Sequence, residues 1–370
     1  MKTKRLTAFV LALLLGSAVS CSPKTPPPAE SASQPGPEPA VSAIAPAEPD
    51  PQPVPEEPAE LPFVNPLTGE GCETDISKNR PIAVMLNNLK KALPQMGVSR
   101  ADIIYEIPAE GGITRMLALF QDIGGVGTIG SVRSARDYYV SLACGHDAIY
   151  LHAGGSPQAY TAISNWGVAA LDCVNGPYEG TLYWRDEQRR KTVGMEHSVV
   201  TSSEKIQELF PTYTRLRQEH KDGFDFPWTF AQEAAPSGGK QADTVTVAFS
   251  TYKTGVFQYD GDTGLYYVSE YGQPYVDGNN EEQVAVKNVL ILNTDVSIIP
   301  GDSAGRLKVR TTGSGKGVFA CGGKAEEITW SRASDSAPLT FLNAQGKPLE
   351  LGVGTSYINI IGSTSSYTLE

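Results

Sequence analysis

Four short stretches hold the residues best able to do chemistry. GSVRSARDYY places Arg133 and Arg136 at the start of a predicted helix, and IYLHAGGSPQAY sets His152 just before Gly154, Gly155 and Ser156. YEIPAEGGITR supplies Glu106, Glu110 and Arg115, and GMEHS supplies His197. Guanidinium groups at a helix start sit against the positive end of the helix dipole and call for a negative partner. Three residues apart, Arg133 and Arg136 can face one direction and meet either a bound anion or carboxylates such as Glu106 and Glu110. His152 falls where a predicted strand ends, and the glycines after it let backbone approach a ligand closely. A helix beginning at Ser156 has N–H groups without intrahelical partners, an arrangement suited to an anion. The competing reading makes the glycines a tight turn, His152 a satisfied structural imidazole and the arginines part of an internal ion-pair network.

The elements that must position these residues are legible as pattern. PIAVMLNN, ADIIYEI, ITRMLALFQ and DAIYLH are short apolar runs bounded by Gly, Pro or Asn, and predict strands. SARDYYVSLACG predicts a helix with Ser134 as N-cap, Asp137 in the capping-box position and Gly145 as terminator. SPQAYTAISNWG predicts a second, with Ser156 as N-cap, Pro157 in the first turn and Gly167 past the end. TSSEKIQELF repeats the capping box with Thr201 and Glu204. After about Gly239 the texture turns to strands separated by Gly, Asp and Asn. DGDTG at 260–264 reads as a hairpin turn and not a calcium loop, because its acidic spacing is wrong. The expected fold class is α+β: a mixed α/β domain over 61–238, then a mostly β domain over 239–370.

The N-terminal stretch is of a different kind. Lys2, Lys4 and Arg5 precede an apolar run too short to span a bilayer, as in a secretory signal peptide. Ala18-Val19-Ser20 before Cys21 resembles a bacterial lipobox, so 1–21 reads as a lipoprotein signal peptide with Cys21 as the lipidated residue. Residues 22–60 carry 13 of the 27 prolines and almost no large apolar side chain, too little to offset the entropy of ordering. They read as a Pro-rich tether that near polyproline geometry reaches up to about 100 Å.

The formal net charge is -11; setting aside the three basic leader residues and the -6 of the tether leaves -8 on 61–370. Such a balance excludes nucleic acid as a partner, though a local basic pocket is compatible with it. Cys72, Cys144, Cys173 and Cys321 lie at long irregular spacings without C-x-x-C, so no metal centre and no cofactor is expected. Outside the cytoplasm they could form disulfides in any of three full pairings, or remain reduced.

NPLTGE at 65–70, RPIAVMLNN at 80–88, ADIIYEIPAEGGITR at 101–115, GSVRSAR at 130–136 and DAIYLHAGGSPQAY at 147–160 together resemble the YerB-like bacterial lipoproteins, a family defined by domain of unknown function 3048 with N- and C-terminal regions. The resemblance runs from Asn65 onward. It implies a lipid-anchored location at the outer face of the bacterial cytoplasmic membrane. Residue by residue, it places the family's glutamate with Gly-Gly on Glu110, Gly111 and Gly112, its paired arginines on Arg133 and Arg136, and its histidine loop on His152, Gly154, Gly155 and Ser156. Where the family tends to have Pro-His-Asn this chain has Glu196-His197-Ser198, and Tyr275 stands where relatives often have histidine, so a histidine metal site spanning both halves is not expected.

Three functions follow as expectations. The favoured one is binding of an anionic cell-envelope component through Glu110, Arg115, Arg133, Arg136, His152, Gly154, Gly155, Ser156 and His197. The second is an envelope-acting hydrolase using Glu110 or His152 as acid or base, although no G-x-S-x-G or H-E-x-x-H supports it. The third is an assembly or regulatory lipoprotein that binds another envelope protein.

Overall fold

The computed structural model describes residues 61–370. The signal peptide, the lipidation residue Cys21 and the Pro-rich tether lie outside the described residues.

Ile82–Asn87, Ile103–Pro108 and Thr114–Phe120 form an antiparallel core, with Ile103–Pro108 and Ile82–Asn87 on either side of Thr114–Phe120. Ile149–His152 joins the open side of Ile82–Asn87 in parallel, and Ala170–Asp172 follows it in parallel at the sheet edge. On the other side the sheet continues into strands from the far end of the chain. Ser356–Ile361 pairs in parallel with Ile103–Pro108, and Asn288–Asn293 pairs in parallel with Ser356–Ile361. Gly313–Cys321 and Lys324–Arg332 then extend it as an antiparallel pair. The change of texture near Gly239 therefore does not interrupt the sheet, which draws strands from both sides of it.

Both faces of this sheet are covered, which is why its strands read as unbroken apolar runs instead of alternating ones. One face packs against helices α1 (Asp137–Gly145) and α2 (Pro157–Trp166), whose Tyr138, Tyr139, Val140, Ala159 and Ala162 join Ala83, Met85, Tyr105 and Leu117 in one apolar cluster. The opposite face meets a second, antiparallel sheet of Thr244–Ala248, Thr254–Asp260, Leu265–Glu270 and Ser366–Leu369. Half-buried, Leu265–Glu270 shows the alternation that its single core contact demands. After Gly239 every described element is a strand, so the architecture is α+β with a mostly β C-terminal region. The 260–264 turn closes a hairpin with Asp260 opposite Leu265, and Asp260 Oδ1 accepts from the amides of Asp262 and Thr263.

The helix ends follow the sequence in one case and depart from it in two. α2 begins as predicted: Ser156 Oγ accepts from Ala159 N at 3.1 Å, Pro157 occupies the first turn and Gly167 closes it at φ 61°. α1 does not start from Ser134. The chain stays extended through Ala135, which bridges Gly155, and Arg136 is the N-cap without a side-chain bond. In α3 (Ser203–Leu209) the cap is Ser202 and not Thr201, whose hydroxyl donates instead to Leu182 O. The four described cysteines are unpaired.

Candidate functional site

His152 and Asp172 end neighbouring parallel strands, side by side in register. Asp172 organises the turn that follows His152. Its Oδ1 accepts from Gly154 N at 2.7 Å and Val174 N at 2.8 Å, and its Oδ2 from Tyr160 OH at 2.8 Å and Asn175 Nδ2 at 3.1 Å. Burial opposes the charge, but these donors hold the carboxyl below its usual range. Gly154 adopts φ 73°, which a side chain would strain, and a Cβ on Gly155 would come within 3.3 Å of the Tyr160 ring.

His152 is part of that scaffold and does not face solvent, being 1% exposed. Its Nδ1 lies 2.9 Å from Gly154 O, and since a carbonyl only accepts, Nδ1 carries the proton. The ring stacks on Tyr150 at 5.1 Å. Burial lowers its pKa despite the nearby Asp172, so the imidazole is neutral, and Nε2 is left buried without a partner. Ser156 is equally enclosed: its Oγ caps α2 and its amide donates to Ala135 O. The amides of Gly154, Ser156 and Ala159 are all bonded within the protein.

The two arginines at the start of α1 have separate fates. Arg136 grips Glu110 with Nε at 3.1 Å and with Nη2, while Nη1 donates to Ala135 O at 2.7 Å. Arg115 donates to the same Glu110 Oε1 at 3.1 Å and to Ser134 O at 2.9 Å. Burial works against ionised Glu110, but Arg136 and Arg115 outweigh it and hold its carboxyl below the usual range. A carboxylate so held has no proton to give as a general acid.

Arg133 turns the other way, into an open cleft of about 570 Å³. Its walls include Ser134, Gly154, Gly155, Tyr160, Asn175 and Glu196. Among the described residues no carboxylate oxygen lies within 4.0 Å of the Arg133 guanidinium; its one hydrogen bond is from Nη1 to Glu196 O at 2.5 Å. Burial, then the charge of Arg115, pushes its pKa down to about 10, which still leaves it cationic at neutral pH. His197 sits behind this wall, 2% exposed, accepting at Nδ1 from Asn87 Nδ2 at 2.8 Å, with Nε2 3.2 Å from Glu196 Oε1. Burial and the Arg133 charge pull its pKa to about 4, so it too is neutral. His152 and His197 share no hydrogen bond and support different walls.

The structure thus brings Arg133, Gly154 and Gly155 to the cleft, puts His152, Ser156 and His197 behind its surface, and ties Arg115, Arg136 and Glu110 into a separate ion-pair cluster. Asp172, Tyr160, Asn175 and Arg185 were not singled out from the sequence. Arg185 lies on a short strand paired with Val199–Ser202 and lines the cleft, its charge matched by Glu179 at 2.7 Å. The positional signal for Asp172 was available: a polar residue at the end of a strand, followed by the turn-forming CVNG.

Glu106 is not an arginine partner. It lies in a second charged cluster between the two sheets, with Lys253 Nζ against Glu106 Oε1 at 2.8 Å and against Glu270 Oε2. Tyr357 OH donates to Glu106 Oε2 at 2.6 Å, and Thr114 and Asn88 donate to Oε1 at 2.5 and 2.8 Å. All three ionisable groups are sealed from water. Burial and the Glu106 charge push Glu270 up to about 8 against the pull of Lys253.

The chain matches the family models described as Protein of unknown function (DUF3048) N-terminal domain, over residues 67–215, and the corresponding C-terminal domain, over 245–358. It is 32% identical over 298 residues to a Bacillus subtilis (strain 168) protein named "Putative lipoprotein YerB", an alignment covering 80% of this chain and 85% of that one. It also superposes on a crystal structure of YerB protein from Bacillus subtilis with a TM-score of 0.70 and 28% identity, covering 82% of this chain and 99% of that chain. With both domain models in order and a relative of this identity aligned over most of its length, the chain belongs to the DUF3048 family of proteins of unknown function.

Proposed function

We propose that this protein is a lipid-anchored extracytoplasmic binding protein, held at the outer face of the bacterial cytoplasmic membrane through Cys21, that captures an anionic cell-envelope component. The lipobox-like Cys21 and the lipoprotein name of the relative support the anchor. No helix among the described residues is long and apolar enough to cross a membrane.

The observation that carries the binding reading is the Arg133 guanidinium, cationic, partly desolvated and without a carboxylate partner among the described residues, in an open cleft of an otherwise acidic chain. A cation in that position is worth more to an anion than one in free water, because the surrounding protein screens it less. Ser134, Tyr160 and Asn175 add neutral hydrogen-bonding groups around it. Calorimetric titration with cell-wall fragments and phosphorylated glycans tests the reading. Saturable binding of an anion that Arg133→Ala weakens by about tenfold or more is expected from the loss of one charge-assisted contact. Equal affinity of the wild type and the variant for every anion tried would remove this cleft from consideration.

A further inference from the structure

The charges that face the cleft restrict the kind of anion it can hold. Three ionic side chains line it, and two of them are already matched: Arg185 by Glu179 at 2.7 Å, and the Glu196 carboxylate by Lys91 at 3.5 Å. Arg133 alone is unmatched, so the wall offers one positive charge and keeps one carboxylate on its rim. With Nη1 bound to Glu196 O, the Nε and Nη2 edge of Arg133 has no acceptor among the described residues. Two parallel N–H groups on one guanidinium edge fit the two oxygens of a carboxylate. A phosphate fits the same edge, but as a dianion it would bring two negative charges toward the Glu196 carboxylate on the rim of the cleft.

Apolar side chains share the rest of the wall with Ser134, Tyr160 and Asn175. Eight large hydrophobic side chains stand exposed among the described residues, and two of them, Val174 at 53% and Met195 at 57%, belong to this cleft. Behind them Val132, Ala153 and Val199, all buried, complete the lining. Exposed apolar groups gathered around one cation fit a ligand whose charge is carried on a small hydrophobic body.

Resting on the anion-binding reading above, we infer that the ligand is a monocarboxylate borne on a small apolar group, and that Glu196 is the residue that discriminates against phosphate. Two envelope molecules carry this chemistry: the lactyl ether of an N-acetylated muramic sugar, and a peptide terminus ending in alanine. Both present one carboxylate beside one methyl group.

The test titrates N-acetylmuramic acid, N-acetyl-D-alanyl-D-alanine, N-acetylglucosamine 1-phosphate and uncharged N-acetylglucosamine into the wild type, Arg133→Ala and Glu196→Gln. At least one carboxylate binds, loses about tenfold or more in Arg133→Ala, and exceeds the sugar phosphate by about tenfold; Glu196→Gln narrows that preference by raising phosphate affinity. Which carboxylate binds more tightly separates a sugar from a peptide source. Arg133-dependent binding in which the phosphate is preferred overturns the carboxylate assignment and leaves the anion cleft standing. A carboxylate preference unchanged in Glu196→Gln overturns the role of Glu196. No Arg133-dependent binding of any probe overturns both this inference and the reading on which it rests.

Discussion

Two regions of this molecule solve the same problem of surplus charge in opposite ways. In the cleft a guanidinium has no carboxylate partner among the described residues, yet it is open enough to water to remain cationic. Between the sheets, Lys253 faces two carboxylates where water does not reach, and Glu270 is pushed toward its protonated form. An isolated ion in a dry interior is expensive, so a proton takes up the imbalance there. At the cleft, hydration tolerates the imbalance and leaves it available to a ligand. The difference separates a charge that binds the two sheets together from one that can recognise something else.

The largest expected effect comes from breaking the dry cluster. Lys253→Met leaves Glu106 and Glu270 facing each other without an ammonium, and should cost about 3–5 kcal/mol in urea unfolding, as removal of one partner from a buried ion pair does. A cost under ~1 kcal/mol would mean that the cluster does not depend on the Lys253 ammonium. The half-buried Arg136–Glu110–Arg115 cluster lies between the two extremes. Glu110→Gln should destabilise by about 1.5–3 kcal/mol through weakened charge-assisted bonds, while anion affinity at the Arg133 cleft stays within about twofold.

Those two clusters also mark how far the sequence could be read. The covered sheet was visible as continuous apolar runs, and α2 could be placed with both its caps because Ser156-Pro157 and Gly167 act locally. The arginines were recognisable as needing a partner, and Glu110 was among the candidates. What separates Arg136 from Arg133 was not visible, since it depends on a chain that remains extended through Ala135 and on a Glu196 loop far away in sequence. His152 stood out by position, but its enclosure comes from Asp172 on the next strand and from Tyr150. Lys253, in the turn-like STYKTG, gave no sign of being fully buried; its partners arrive from Ile103–Pro108 and from the hairpin that follows it.

A smaller effect, with a definite sign, is expected from pH. Glu270 has a folded pKa raised from 4.5 to about 8, so the folded state holds a proton that the unfolded chain releases between these values. Its stabilising contribution is complete below about pH 4.5 and is lost as pH rises through about 8. Glu270→Gln cannot release that proton. The stability of the wild type relative to Glu270→Gln should therefore fall between pH 5 and 8.5, as read from unfolding midpoints at matched ionic strength. Parallel pH profiles would show that Glu270 keeps the same protonation in both states.

The smallest expected effect on the fold accompanies the largest on binding, at Arg133. Its truncation removes one hydrogen bond and no ion pair, so the unliganded melting temperature of Arg133→Ala should stay close to that of the wild type. The direct measurement is a thermal-shift titration of both proteins with anionic cell-wall fragments. A concentration-dependent upshift is expected in the wild type, and in Arg133→Ala the same upshift should require about tenfold or more ligand. An equal upshift in both proteins, or a large loss of unliganded stability in Arg133→Ala, would show that this guanidinium serves the fold and is not held in reserve for a ligand.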